Sequence, residues 1–357
     1  MNNPTKLEHL GYNQFFDENR SELGASIEQV VRVTAEHKGV YEVIGIIGEY
    51  RASVTGKRMM VATNRDDFPA VGDWVIIKDA DDDTKVITDI LPRKTTMHKK
   101  YGGKDESQLI AANIDTALIV ESIDRDYNLN RFERYLVLAR EGGVEPIIIL
   151  NKSDLSLEKE INKNVEEIHE RFGDVQVLAT STINQSGLEE LSENIKPAKT
   201  YCFLGSSGVG KSSIINKLLE HDQIATGLIG EKSDRGRHTT TSRQMYFTKS
   251  GGIIIDNPGS REVGVADANS GVEEVFSDIE ALASKCKFAD CKHNKEPGCE
   301  IQVAIKAGII DAQRYENYQK MQKETEHHQL TGYEKRQKNK KFGKYIKTAK
   351  KDLKNKA

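Results

Sequence analysis

The chain is 357 residues long, 37% hydrophobic and 30% charged, with a formal net charge of −3. That length corresponds to two or three domains, enough for a large buried core and at least one accessory domain. The segment from Met1 through Arg20 is polar and mixed in charge, so neither a signal peptide nor a membrane span is expected there, and a cytoplasmic monomer is the expectation.

After this lead-in, short apolar or alternating runs occur at Val30 to Val33, Tyr41 to Ile47, Ala52 to Val54, Met59 to Ala62, Trp74 to Ile77 and Val86 to Leu91. His37-Lys38-Gly39, Gly48-Glu49 and Val71-Gly72-Asp73 break them as turns. Five or six such strands predict a small β-barrel within residues 1–100. An OB-type barrel is the first choice because that fold commonly reads single-stranded nucleic acid; an SH3-like barrel gives the same pattern.

From Asn113 the pattern becomes alternating strands and helices. Thr116 to Val120 reads as a strand, Phe132 to Ala139 as a helix, and Pro146 to Leu150 as a strand ending at Asn151. A charged helix through Ile161, Val165 and Ile168 follows, then the strand Val175 to Ala179 and a helix from Gly187-Leu188. The strand Thr200 to Leu204 then runs into a glycine-rich loop and the helix Lys211 to Leu219. This predicts a parallel, doubly wound α/β domain over residues 101–275, with its pocket at the C-terminal ends of the strands.

The loop reads Gly205-Ser206-Ser207-Gly208-Val209-Gly210-Lys211-Ser212-Ser213. Its glycines let backbone N–H groups turn inward around a β-phosphate at a helix N-terminus, where the dipole also favours negative charge. Lys211 supplies a point charge to the β- and γ-phosphates, and the Ser212 hydroxyl suits Mg2+. Alone, this loop implies only a nucleoside triphosphate.

Asn151-Lys152-Ser153-Asp154 selects the base. The Asp154 carboxylate can accept both N1–H and the exocyclic N2–H of guanine, which adenine does not offer in that form. Lys152 can lie over the base, and Asn151 can hold the loop and N7. Ser181-Thr182 stand where a Ser-Ala element supports the base in many GTPases, with Thr182 the departure. The order is also reversed, because the guanine reader precedes the phosphate loop by about fifty residues along the chain and ordinary GTPases have them the other way round. The domain therefore reads as a circularly permuted P-loop GTPase.

Asp256-Asn257-Pro258-Gly259 follows the apolar run Ile253 to Ile255, making Asp256 a strand-end carboxylate suited to Mg2+ through water and Gly259 the amide that senses the γ-phosphate. Upstream, Arg235-Gly236-Arg237-His238-Thr239-Thr240-Thr241 reads as the first switch, with Thr240 chosen among three threonines to reach Mg2+.

Cys286, Cys291, His293 and Cys299 stand in the pattern C-x4-C-x-H-x5-C. Three thiolates and an imidazole suit a closed, structural zinc site better than a disulfide in a reducing cytosol. Cys202, in an apolar run, reads as a core residue. Residues 276–357 are thus expected to form a helical zinc-binding domain with a basic tail. From Lys335 to Ala357 that tail carries +10, leaving −13 on the rest of the chain, an arrangement that suits contact with a polyanion; a solvated tail without a specific partner is the plainer reading.

The set of motifs resembles the ribosome small-subunit-dependent GTPase family, RsgA or YjeQ. The resemblance runs from an OB barrel through Ala112-Asn113-Ile114-Asp115, Asn151 to Asp154, Gly205 to Ser213, Gly236 to Thr241, Asp256 to Gly259, and the Cys286 to Cys299 loop. It implies binding to the small ribosomal subunit and its rRNA late in assembly, with GTP hydrolysed to GDP when docked there. Asn257 and Ser260 depart from the family pattern. Many GTPases place a water-orienting glutamine where Ser260 stands, so slow intrinsic hydrolysis is expected; the resemblance points to His238 as the catalytic substitute. An RNA-binding scaffold gated by nucleotide, with incidental hydrolysis, is the competing reading. An ATP-dependent kinase fits poorly, since the chain has a guanine reader and no separate acceptor site.

Overall fold

A computed structural model describes residues 6–37, 39–80, 84–100, 107–124, 127–219, 243–256, 268–294 and 296–329. The chain divides into two units, residues 1–264 and 265–357.

Five strands open the first unit: β1 (Val30–His37), β2 (Val40–Gly45), β3 (Gly48–Val54), β4 (Trp74–Asp79) and β5 (Lys85–Ile90). Each of β1 and β3 pairs with β2 antiparallel, β3 pairs with β5 in parallel, and β4 pairs antiparallel with both β5 and β1. The ring therefore closes, as in an OB-type barrel, with β4 covering only Val30 to Arg32 of β1. Alternate residues fill the interior, among them Val31, Val33, Val43, Val75 and Ile87, the period of two that a half-buried strand demands.

The outer face of β1 and β4 is covered too. A turn at Leu7–Leu10 and helix α1 (Gln14–Glu22) lay Leu7, Leu10, Tyr12 and Phe16 against Val30, Trp74 and Ile76. The lead-in thus joins the core despite its polar composition.

The expected strand at Met59 to Ala62 is instead helix α2 (Gly56–Val61), between β3 and β4. Thr55 caps it by accepting from the Arg58 N–H. Met59, Met60 and Val61 face solvent, so their apolar run reports no burial, and periodicity alone cannot tell so short a run from a strand. A hairpin, β6 (Thr96–Lys100) with β7 (Ser107–Ala112), leads out of the barrel. Arg93, just before it, binds the buried Asp73 carboxylate through two bonds of 2.8 Å, a planar fork suited to a carboxylate.

Next come β8 (Thr116–Ser122), α3 (Leu129–Glu141), β9 (Glu145–Asn151), α4 (Glu158–Phe172), β10 (Gln176–Thr180), α5 (Leu188–Asn194), β11 (Thr200–Leu204), α6 (Lys211–Leu219), β12 (Gln244–Phe247) and β13 (Ile253–Asp256). The spatial order is β10-β9-β8-β11-β13-β12, parallel except for β12. Started at β11 and closed from β13 to β8, the chain would trace an unpermuted doubly wound sheet. Permutation changes where the chain is cut and leaves the strand neighbours intact. Leu118, Ile149, Phe203, Ile214 and Ile254 form its core. At the outer edge, Ala35 of β1 pairs with Gln244 of β12, so barrel and sheet are one hydrogen-bonded array of eleven strands.

The second unit contains α7 (Asn269–Val275), α8 (Ser277–Ala283), α9 (Glu300–Lys306) and α10 (Ala312–Gln329). Phe276 packs on Tyr318 at 5.3 Å between ring centres, and Arg314 lies over Phe276 while binding Asp278 at 2.7 Å.

Candidate functional site

The glycine-rich loop leaves the buried end of β11 and enters α6. Gly205, Gly208 and Gly210 have φ of 140°, 88° and 100°, a region that side chains other than glycine's enter only under strain. Space is short as well. A Cβ at Gly205 would lie 2.2 Å from the Val120 carbonyl oxygen, and one at Gly210 would lie 2.1 Å from Asn151 Nδ2. Gly210→Ala is therefore expected to displace Asn151 and abolish nucleotide binding, measurable by titration with a fluorescent GDP analogue; unchanged affinity would contradict the role of that close approach.

Val209 turns into the core, whereas Ser207 and Gly208 face solvent and Ser206, Ser212 and Ser213 are half-buried. The Lys211 ammonium is buried and donates to the Gly205 and Ser206 carbonyls at 2.8 and 2.6 Å. Burial pulls its pKa down to about 8, opposed by the charges of Asp256 and Glu121. Asp256, at the end of β13 and also buried, has its carboxyl pushed up by desolvation and held back by Lys211. An anion entering here meets a lysine short of counter-charge.

Asn151 ends β9 beside this loop. Its Nδ2 donates to the Val209 carbonyl at 2.8 Å, and its Oδ1 accepts from Thr180 Oγ1 at 3.1 Å. The Asn151–Asp154 segment and the glycine-rich loop are thereby held together across the sheet. Lys152 takes a left-handed conformation, φ 63°, and its ammonium lies 3.1 Å from Asp124. Asp154 accepts the Ser181 hydroxyl, and Ser181 Oγ accepts the Ile183 N–H at 3.1 Å. Thr182 lies half-buried in the same turn, and Ser153 meets Ser186 at 3.1 Å. The Asn151–Asp154 segment and the glycine-rich loop thus meet at the C-terminal ends of β9 and β11, the usual ligand position in such sheets.

Gly259, His238 and Thr240 lie outside the described residues, as do Asn257, Ser260 and the basic tail. Two supporting residues escaped the sequence reading. Asp124, fixed by Ser122 Oγ at 2.7 Å, holds Lys152, and the buried Tyr135 of α3 is electrostatically coupled to Ser206 of the loop. A helix-period pattern marks Tyr135 as core, and nothing local pairs either residue with the pocket.

In the second unit, Cys286, Cys291, His293 and Cys299 bring their ligand atoms within 4.8 Å of one another. Cys286 Sγ lies 4.0 Å from Cys299 Sγ and 3.4 Å from His293 Nδ1, which is 3.6 Å from Cys299 Sγ. A tetrahedral zinc with Zn–S bonds of about 2.3 Å needs ligand–ligand edges near these lengths, so the donor set fits that ion. His293 is itself at φ 56°, its carbonyl bound by Gln302 at 2.8 Å. Among the described residues, no helix is long and apolar enough to cross a membrane.

Comparison with known proteins agrees with this architecture. Residues 90–266 match the family described as RsgA GTPase. The chain is 40% identical over 322 residues, 90% of each chain, to the small ribosomal subunit biogenesis GTPase RsgA 1 of Listeria innocua. Among solved structures it resembles YjeQ from Thermotoga maritima, 28% identical with a TM-score of 0.59 over 82% of this chain and 96% of that one. The fold is also that of YloQ, a circularly permuted GTPase, 23% identical with a TM-score of 0.56 over 85% of this chain and 96% of that one. With an OB-type barrel ahead of a permuted GTPase fold and a cysteine–histidine cluster behind it, this chain belongs to the RsgA GTPase family.

Proposed function

We propose that the protein binds the small ribosomal subunit during late assembly, hydrolyses GTP there, and leaves as hydrolysis completes. The observation that carries the reading is a pair of bonds: Ser181 donates to Asp154, and Asn151 donates to the glycine-rich loop at Val209. Asn151, Lys152, Asp154, Ser181 and Thr182 read guanine; Gly205 to Ser213 and Gly259 hold the phosphates. Ser212, Thr240 and Asp256 would hold Mg2+, which when bound neutralises charge on the β- and γ-phosphate oxygens. His238 orients the attacking water once the protein is docked on rRNA, the role that a glutamine fills in many GTPases. The barrel and basic tail supply rRNA contact, and the protein acts as a cytoplasmic monomer.

The decisive experiment is GTP turnover with and without small subunits, using ATP and large subunits as controls. Stimulation restricted to GTP and small subunits is the expected result. Subunit binding without stimulation would favour the nucleotide-gated scaffold, and absence of both would overturn the reading.

Cys286, Cys291, His293 and Cys299 bind one structural zinc. Metal analysis is expected to return one zinc per chain, and removal by a chelator should strip amide-exchange protection from the segment between α8 and α9, because metal binding and local folding are coupled. Metal-free protein with undiminished protection there would count against the site.

A further inference from the structure

Strand β1 of the barrel is wired into the nucleotide-binding sheet at two places. At the first, Ala35 pairs with Gln244 on β12, and Gln244 pairs in turn with Asp256 at the end of β13. At the second, Arg32 is 1% exposed and spends its guanidinium on four oxygens. Its Nε donates to Gly72 O at 3.2 Å, one terminal nitrogen to Leu10 O, and the other to Asn113 O at 3.1 Å and Thr200 Oγ1 at 2.9 Å. Thr200 opens β11, whose far end carries Gly205. One barrel strand is therefore bonded to the strand leading into the phosphate loop and, through β12, to the strand ending in Asp256.

All four acceptors of Arg32 are neutral. Its charge is desolvated with no carboxylate in hydrogen-bond contact, Asp115 and Asp73 acting only at longer range. A buried charge is weak evidence for stability, and apolar replacements of similar volume often do as well; the best-attested use of such groups is to fix one arrangement among alternatives. The joint also borders a cavity of about 250 Å3, lined in part by Arg32, Trp74, Lys94, Asp115 and Lys199, so close packing does not lock it on every side.

We propose that β1 is the element through which the barrel and the nucleotide site sense each other, with Arg32 as its positioning residue. A polyanion on the barrel acts through Arg32 on the start of β11 and through Ala35 on β12. By linkage the coupling runs both ways, so nucleotide bound at the glycine-rich loop must also change the joint.

The chain carries its own reporter. Trp74 is the sole tryptophan, fully buried, with the Arg32 guanidinium 5.5 Å above its ring. Saturating the full-length protein with GDP or a non-hydrolysable GTP analogue is expected to change Trp74 emission. Thr200→Val keeps the branched shape and removes the hydroxyl acceptor; it should lose most of that change while nucleotide affinity holds. Arg32→Lys, which keeps the charge but not the fork, should do the same. Silence of Trp74 in the parent protein, or a full response in both variants, would overturn the proposal.

A second arm rests on the subunit-stimulated reading above. Thr200→Val should lower the ratio of stimulated to basal turnover by roughly tenfold, within the usual range of coupling between sites, with basal kcat and KM unchanged. A lowered Tm with an unchanged ratio would mean that Arg32 only holds the fold. Lack of stimulation in the parent would sink the functional reading, leaving the emission experiment to decide this one.

Discussion

Asp154→Asn is expected to exchange guanine for xanthine as the preferred base. The carboxylate offers two acceptors to the guanine N1–H and N2–H, whereas an amide offers one acceptor and one donor. Against guanine that donor meets the N2–H group head on; against xanthine it finds the C2 carbonyl. Hydrogen bonds to charged groups contribute about 1.5–3 kcal/mol each and neutral ones about 1, so losing one and making the other neutral lowers kcat/KM for GTP by about 10^2- to 10^3-fold. Ser181, which donates its hydroxyl to Asp154, can donate equally to an amide oxygen, so the loop should survive the change. Steady-state turnover of GTP and XTP by both proteins is the measurement. Undiminished GTP turnover in the variant would remove Asp154 from base recognition.

Lys211→Met should separate activity from stability. Burial holds the Lys211 pKa at about 8 in the folded protein, below its value of about 10.4 in an unfolded chain. The unfolded state then binds more protons between those limits, so this residue makes stability rise with pH across that window, and its full penalty is present below about pH 8. Removing the ammonium relieves that penalty, and the nucleotide-free variant is expected to melt no lower than the parent. It should meanwhile lose at least about 10^2-fold in kcat/KM, the cost of one or two charge-assisted phosphate contacts. In the parent, GTP affinity should weaken as pH climbs through about 8, where free Lys211 sheds its proton. Calorimetry in buffers of differing ionisation enthalpy should register proton uptake on binding there. A pH-independent affinity from 7 to 9 would contradict the buried, nucleotide-facing lysine.

Both expectations draw on motifs that were legible before any fold was known. The glycine-rich loop, the Asn151–Asp154 segment and the cysteine–histidine spacing each occupy a short stretch of chain, because each needs a particular local geometry. Gly205, Gly208 and Gly210 answer a backbone requirement at positive φ, and Cys286 to Cys299 close a loop tight enough to converge on one point. Strands with unbroken apolar runs, such as Thr200–Leu204, are likewise readable because burial on both faces leaves no other pattern. The reversed order of motifs was enough to expect a permuted sheet, since permutation alters connectivity and not neighbours.

Local pattern misled where burial and hydrophobicity parted. Met59, Met60 and Val61 are apolar yet exposed on a capped helix, and the polar lead-in hides Leu7, Leu10 and Phe16 in the core. What only the tertiary structure decided are the bonds between distant residues: Asn151 to Val209 across 58 positions, Lys152 to Asp124 across 28, and Arg32 to Thr200 across 168. The sequence by itself determined the contiguous motifs and the permuted order in which they stand, and with them the family. Which motifs touch, and the seam that binds β1 to β11 and β12, depend on long-range packing and strand pairing, whose partners no local periodicity encodes.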